Sequence, residues 1–147
     1  GHHITEIPDN AFEGCSSLKY VVCPGVTKIG NDAFSGCTSL NKFTLPTEIS
    51  SVGTNAFVGV PEINVTASNV SVAQAIAASD ADKIVLDISE IPADKVENLS
   101  LEVGEIPYFE VQGRDKQYKN FSLKSDATKT VIKNVLDLLK IDAPEQM

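Results

Sequence analysis

The chain has 147 residues, with 12 Lys and Arg against 20 Asp and Glu and a net charge of −8. That length makes one ordinary domain or two small ones, and 42% hydrophobic against 22% charged residues supports a packed core over disorder. Nucleic acid is excluded as a partner, because phosphate binding needs clustered Lys and Arg, and here the single arginine, Arg114, stands outside any basic run.

The first elements are copies of one another. Ile4 to Cys15, Val26 to Cys37 and Ile49 to Val60 superimpose, with Phe12, Phe34 and Phe57 at steps of 22 and 23 residues. Each copy has Asn or Asp before Ala-Phe and a glycine (Gly14, Gly36, Gly59) two residues after the Phe. Such a repeat predicts solenoid coils, since one coil cannot bury its own apolar edge and its neighbours must cover it. The predicted core ladders are Ile7, Ile29 and Val52, then Phe12, Phe34 and Phe57, then Cys15 and Cys37, then Leu18 and Leu40. The glycines suit turn positions where φ must be positive.

After each turn a short strand is predicted, from Leu18 to Pro24 and from Leu40 to Pro46; in the third copy it shrinks to about 63–65. Leu18, Val21 and Cys23 match Leu40, Phe43 and Leu45 as inward residues. The alternate residues Lys19, Tyr20, Val22, Asn41, Lys42 and Thr44 then share an outward sheet face, which is the candidate binding surface. Cys15 and Cys37 hold equivalent positions of successive coils, about 5 Å apart. Parallel Cβ vectors favour stacked buried thiols, with a disulfide as the alternative. A zinc site would want four Cys or His ligands, and Cys23 is only a third cysteine, so no metal is expected.

The pattern Ile-x-x-Ile-Gly-x-x-Ala-Phe-x-Gly-Cys-x-x-Leu resembles the bacterial BspA-type, or Treponema pallidum-type, leucine-rich repeat. It covers residues 4 to about 60, and Val60 departs from it where the third Cys would stand. The resemblance implies a leucine-rich-repeat solenoid on a secreted or cell-surface bacterial protein, a family linked to adhesion and protein binding.

Beyond it, Asn69 to Ser79 reads as a short Ala-rich helix with Asn69 as N-cap. Strands are predicted at 84–88, 99–103, 108–111, 121–124 and 130–132. Leu86 to Tyr108, Tyr108 to Thr130, Leu99 to Phe121 and Phe43 to Val65 are each 22 residues. Constant pitch predicts a mainly β solenoid whose leucine-rich coils continue into a β-helix-like C-terminal half, and 70–113 resembles the opening turns of bacterial right-handed parallel β-helices. A separate small α/β or β-sandwich domain is the alternative. The division is therefore 1–66 for about three repeats, truncated at the N-terminus, and 67–147 for the continuation or a capping domain. Residues 131–140 are expected to run from a last strand into an amphipathic capping helix. No cap precedes Ile4, so the chain is expected to be the C-terminal piece of a longer protein. His2 and His3 read as a remnant of expression, which leaves no internal histidine.

Catalytic parts are lacking: no histidine base, no phosphate loop, no nucleophile elbow. Asp80, Asp82 and Asp87 read as loop carboxylates rather than a glycosidase pair. Lys116, Lys119 and Lys124 sit on too few coils to make a substrate groove. The expectation is a monomeric, non-enzymatic interaction or adhesion module with no cofactor, no catalytic residue and no membrane insertion, bound to a host or bacterial surface protein. The alternatives are a carbohydrate-binding or polysaccharide-enzyme-derived module, or a structural spacer. No Trp and only three Tyr weigh against glycan.

Overall fold

The computed structural model describes residues 4–104 and 106–113 and the strands at 122–125, 131–134 and 140–142. In chain order the elements are β1 (Glu6–Ile7), β2 (Lys28–Ile29), β3 (Phe43–Thr44), β4 (Ser51–Val52), β5 (Ile63–Thr66), α1 (Val70–Ala77), β6 (Lys83–Asp87), α2 (Ala93–Val96), β7 (Ser100–Val103), β8 (Tyr108–Gln112), β9 (Ser122–Ser125), β10 (Val131–Asn134) and β11 (Lys140–Asp142). They form three sheets, β1-β2-β4, β10-β8-β6-β5-β3 and β11-β9-β7. Every strand pairing is parallel. That is the geometry of a solenoid, in which each coil returns to run beside the last.

Two-residue strands hold because the adjoining turns continue the ladder. Phe12 N–H donates to Ala33 O at 2.8 Å and Phe34 N–H to Ala56 O at 2.9 Å; Gly14 and Gly36 donate likewise to Ser35 and Val58. Each coil thus satisfies turn amides that its neighbour would leave bare. The Asn or Asp before Ala-Phe has a conformational reason. Asn10, Asp32 and Asn55 have φ of 62°, 55° and 57°, a left-handed backbone that Asn and Asp adopt more readily than most side chains. Gly30 and Gly53 have a packing reason: a Cβ on either would lie 2.5 Å from a backbone nitrogen of the preceding coil. A side-chain ladder completes the stack, with Asp9 Oδ1 accepting from Asn31 N–H and Asn31 Oδ1 from Thr54 N–H, both at 2.8 Å.

The Phe ladder is the spine of the core. Phe34 stacks on Phe12 (5.3 Å between centroids, 11° between planes) and on Phe57 (5.7 Å, 4°), and Phe43 tilts against both Phe34 and Phe57. Ile7, Ile29, Phe34, Cys37, Leu40 and Phe57 are buried. Three expected core members differ in degree: Phe12, Leu18 and Val52 are half-buried. Cys15 is a correction. It is exposed, because β1 ends its sheet and the first coil is covered on one side only.

The strand predictions around the first two turns are corrected as well. No strand forms between Leu18 and Pro24, and the second shrinks from Leu40–Pro46 to Phe43–Thr44. Lys42 has φ 52°, a left-handed residue that breaks the extended run just before β3.

In the five-stranded sheet, Phe43, Ile63, Ile84 and Phe109 form one buried column, and Val65, Leu86 and Val111 another. The pitch is not constant. Phe43 pairs with Ile63 rather than Val65, and Leu86 with Val111 rather than Tyr108, giving steps of 20, 21 and 25 residues. The long step contains α2, which the strand spacing did not show. Helix α1 matches its prediction, with Asn69 Oδ1 accepting from Val72 N–H at 2.9 Å. It packs against both β4 and β7. Buried side chains from Ile7 to Val111 make one continuous cluster. The capping helix falls largely on 135–139, outside the described residues; 131–134 is β10, and Lys140 opens β11.

Candidate functional site

The site is built by the broken repeat. With Lys42 turned, β3 pairs on one side only, with β5, and it ends its sheet. The Lys19–Pro24 segment, which equal pitch would lay directly against it, stands off. Between them is a cleft of 710 Å³ lined by Lys19–Pro24 and Leu40–Glu48. The expected flat sheet face is therefore corrected to the two walls of a groove. Its lining includes all of Lys19, Tyr20, Val22, Asn41, Lys42 and Thr44, each of them exposed, with Tyr20 at 84% and Val22 at 89%. Buried Leu40, Phe43 and Leu45 and half-buried Val21 and Cys23 supply its apolar floor.

Charge distinguishes this cleft from its surroundings. It carries Lys19 and Lys42 against Glu48, a local positive excess on a chain of net −8. Neither lysine has an ion pair or hydrogen bond among the described residues. The charged groups on β6 and β8 behave differently. Lys83 Nζ lies 3.9 Å from Glu62 and 5.0 Å from the Tyr108 ring centroid, and Tyr108 donates to Glu110 at 2.8 Å. That hydrogen bond to Glu110 holds the Tyr108 phenol above its ordinary range, with partial burial and the carboxylate's charge adding to it. Those groups answer one another, whereas the cleft lysines do not pair among the described residues.

A second cleft of 340 Å³, lined by residues that include Ile4, Phe12, Val22 and Val26, lies on the other flank of Val21–Pro24. Sequence reasoning missed Glu48, which lies beyond the predicted strand, and read Cys23 as an inward strand residue rather than as part of a lining.

The Cys23 and Cys37 thiols are not poised as nucleophiles. Cys15, Cys23 and Cys37 are free thiols in the structure. Burial pushes the Cys37 thiol up, with Cys15 nearby adding to it, and Sγ donates to Phe12 O at 3.1 Å. Burial raises Cys23 too. Among the described residues no group of three or more His, Cys, Asp or Glu could hold a metal ion. Asp80 and Asp82 precede β6 and Asp87 ends it, where its Oδ1 accepts from Ser89 N–H, so the strand separates them. Lys116 and Lys119 lie outside the described residues; Lys124 is in β9.

The family model described as "BspA type Leucine rich repeat region (6 copies)" matches residues 3–79, past the 4–60 marked by the motif. No curated protein and no solved structure matches the chain. No helix among the described residues is long and apolar enough to cross a membrane.

Proposed function

The chain belongs to the BspA-type leucine-rich repeat family, and from that premise we propose that it is a non-enzymatic protein-interaction module acting through the Lys19–Thr44 cleft. The observation that carries this reading is convergence. Lys19, Tyr20, Val22, Asn41, Lys42 and Thr44 come from two segments 22 residues apart and meet around one open groove, with both lysines unpaired among the described residues. Tyrosine is enriched at protein-recognition sites, and the unpaired lysines offer charge complementarity to an acidic partner. The module is proposed to serve as an adhesion element of a secreted or cell-surface bacterial protein, as a monomer, with a host or bacterial surface protein as partner. Residues 1–66 are the repeat unit in this reading. Residues 67–147 are its β-helix-like continuation, sharing the sheet through the pairing of β5 with β6.

The competing reading is a carbohydrate module or a bare spacer. A panel of purified host matrix proteins beside a glycan array separates them. Saturable protein binding that Tyr20→Ala and Lys42→Ala each weaken about tenfold or more is the expected result, the usual scale of an interface hot spot. Glycan binding that survives both substitutions would overturn the proposal.

A further inference from the structure

We infer that the cleft takes an extended, acidic segment of a partner protein as an added strand on the free edge of β3. This rests on the reading of the chain as a protein-binding module and specifies the form of what it binds.

The backbone carries the argument. Phe43 N–H donates to Glu62 O at 2.9 Å and Leu45 N–H to Asn64 O at 3.1 Å, both toward β5. In a parallel ladder alternate residues point their N–H and C=O to opposite sides, so those of Thr44 face away from β5 and into the cleft. Thr44 has no hydrogen-bond partner among the described residues. Across the groove, the backbone of Lys19 to Val22 is equally unpaired there. Two stretches that a regular repeat would pair with each other thus present unmet donors and acceptors to the same 710 Å³ of space. That volume lies within the roughly 300–1,000 Å³ of sites that enclose a small ligand.

Of the other edges, β4 and β7 are covered, while β1 ends its sheet uncovered at the start of the repeat stack. Helix α1 packs on β4, and on β7 the Gln74 amide donates to Glu102 O and accepts from Glu102 N–H, both at 3.0 Å, standing in for a neighbouring strand. Open edges invite pairing, and natural sheets blunt them. Here β3 is left open with Lys42 beside it, and Pro46, two residues on, ends any further ladder.

Charge and side-chain alternation choose the occupant. A strand laid in the groove turns alternate side chains toward Val21, Cys23 and Leu45 and the others outward, near Lys19 and Lys42. The fitting segment alternates apolar with acidic residues. The net −8 of the chain does not override this, since charges beyond roughly 8 Å are largely screened at physiological salt.

The test uses synthetic peptides of about eight residues and the whole chain. One peptide alternates Val with Asp or Glu, one replaces the acids by Lys, and one keeps the acids but carries N-methyl groups on alternate backbone nitrogens. Fluorescence anisotropy should show saturable binding of the acidic peptide. Binding should fall about tenfold or more for the Lys and N-methyl peptides, the scale of one or two lost charge-assisted or backbone hydrogen bonds. Lys19→Ser with Lys42→Ser should weaken the acidic peptide similarly while leaving the melting temperature unchanged, since both side chains are exposed. Equal binding of the N-methyl peptide would overturn strand addition. So would no peptide binding while a matrix protein still binds in a Tyr20-dependent way, and that result leaves the interaction reading intact. Failure of peptides and proteins alike overturns both.

Discussion

Phe34→Ala probes the stacking of the coils where it is densest. Phe34 is fully buried and touches three other rings, at 5.3 Å to Phe12, 5.1 Å to Phe43 and 5.7 Å to Phe57. Removing a buried Phe ring costs roughly 3–5 kcal/mol, and the loss of three ring contacts places this site toward the upper end. Phe12→Ala is the internal control, because Phe12 is half-buried and stacks on a single ring, so about half that loss is expected for the smaller area returned to water. Urea unfolding followed by far-ultraviolet circular dichroism gives both values, and an unchanged m-value would show that the mutants lose stability without changing the surface exposed. In thermal scans the Phe34 variant should melt about 10 °C lower, at roughly 2–4 °C per kcal/mol for a chain of this size. Equal losses at Phe34 and Phe12, or a Phe34 loss under about 1 kcal/mol, would refute the buried ladder, because transfer of a buried ring cannot cost less.

Other predictions follow from individual contacts. Gly30→Ala puts a Cβ 2.5 Å from Asp9 N and 2.7 Å from Pro8 C, so the coils must part, at about 1–3 kcal/mol in denaturation, whereas Gly25→Ala meets only Ile4 O at 3.6 Å and should be near neutral. Iodoacetamide followed by mass spectrometry should label exposed Cys15 first and buried Cys37 last; equal rates would mean that the Cys37 position is open. Tyr108 should ionise above its ordinary value of 10.0, and Glu110→Gln should bring it down, read as phenolate absorbance with Tyr20 and Tyr118 changed to Phe. Because its folded value lies above its unfolded one, the stability it lends is present below about pH 10 and is lost as pH rises through the folded value. Stability that rises through that window would contradict the assignment.

The repeat was legible because its chemistry is periodic. Phe12, Phe34 and Phe57 carry the stack, and the Asn or Asp before each Ala-Phe occupies the left-handed position that the turn requires. The helix after Asn69 was legible from its cap. What stayed hidden lay where equivalence in sequence is not equivalence in space. Cys15 repeats Cys37, yet it sits in a coil with one neighbour and is exposed. Phe43 was matched by pitch to Val65, but the short stretch from Val60 to Ile63 shortens that step to 20 residues. Lys42 has no side-chain signature for a positive φ, so the break that opens the cleft was invisible, although every residue of the expected face was named. Gln74 closes the edge of β7 through backbone groups 28 residues away, which no local pattern encodes.

Amide exchange at residues 43–45 of the free chain tests the open edge of β3 most directly. The account predicts that the Phe43 and Leu45 amides, donated to Glu62 and Asn64, exchange slowly, while the Thr44 amide between them exchanges at close to an unprotected rate. Protection of Thr44 equal to that of its two neighbours would mean that the Lys19–Pro24 segment already pairs with β3, and that there is no cleft to fill.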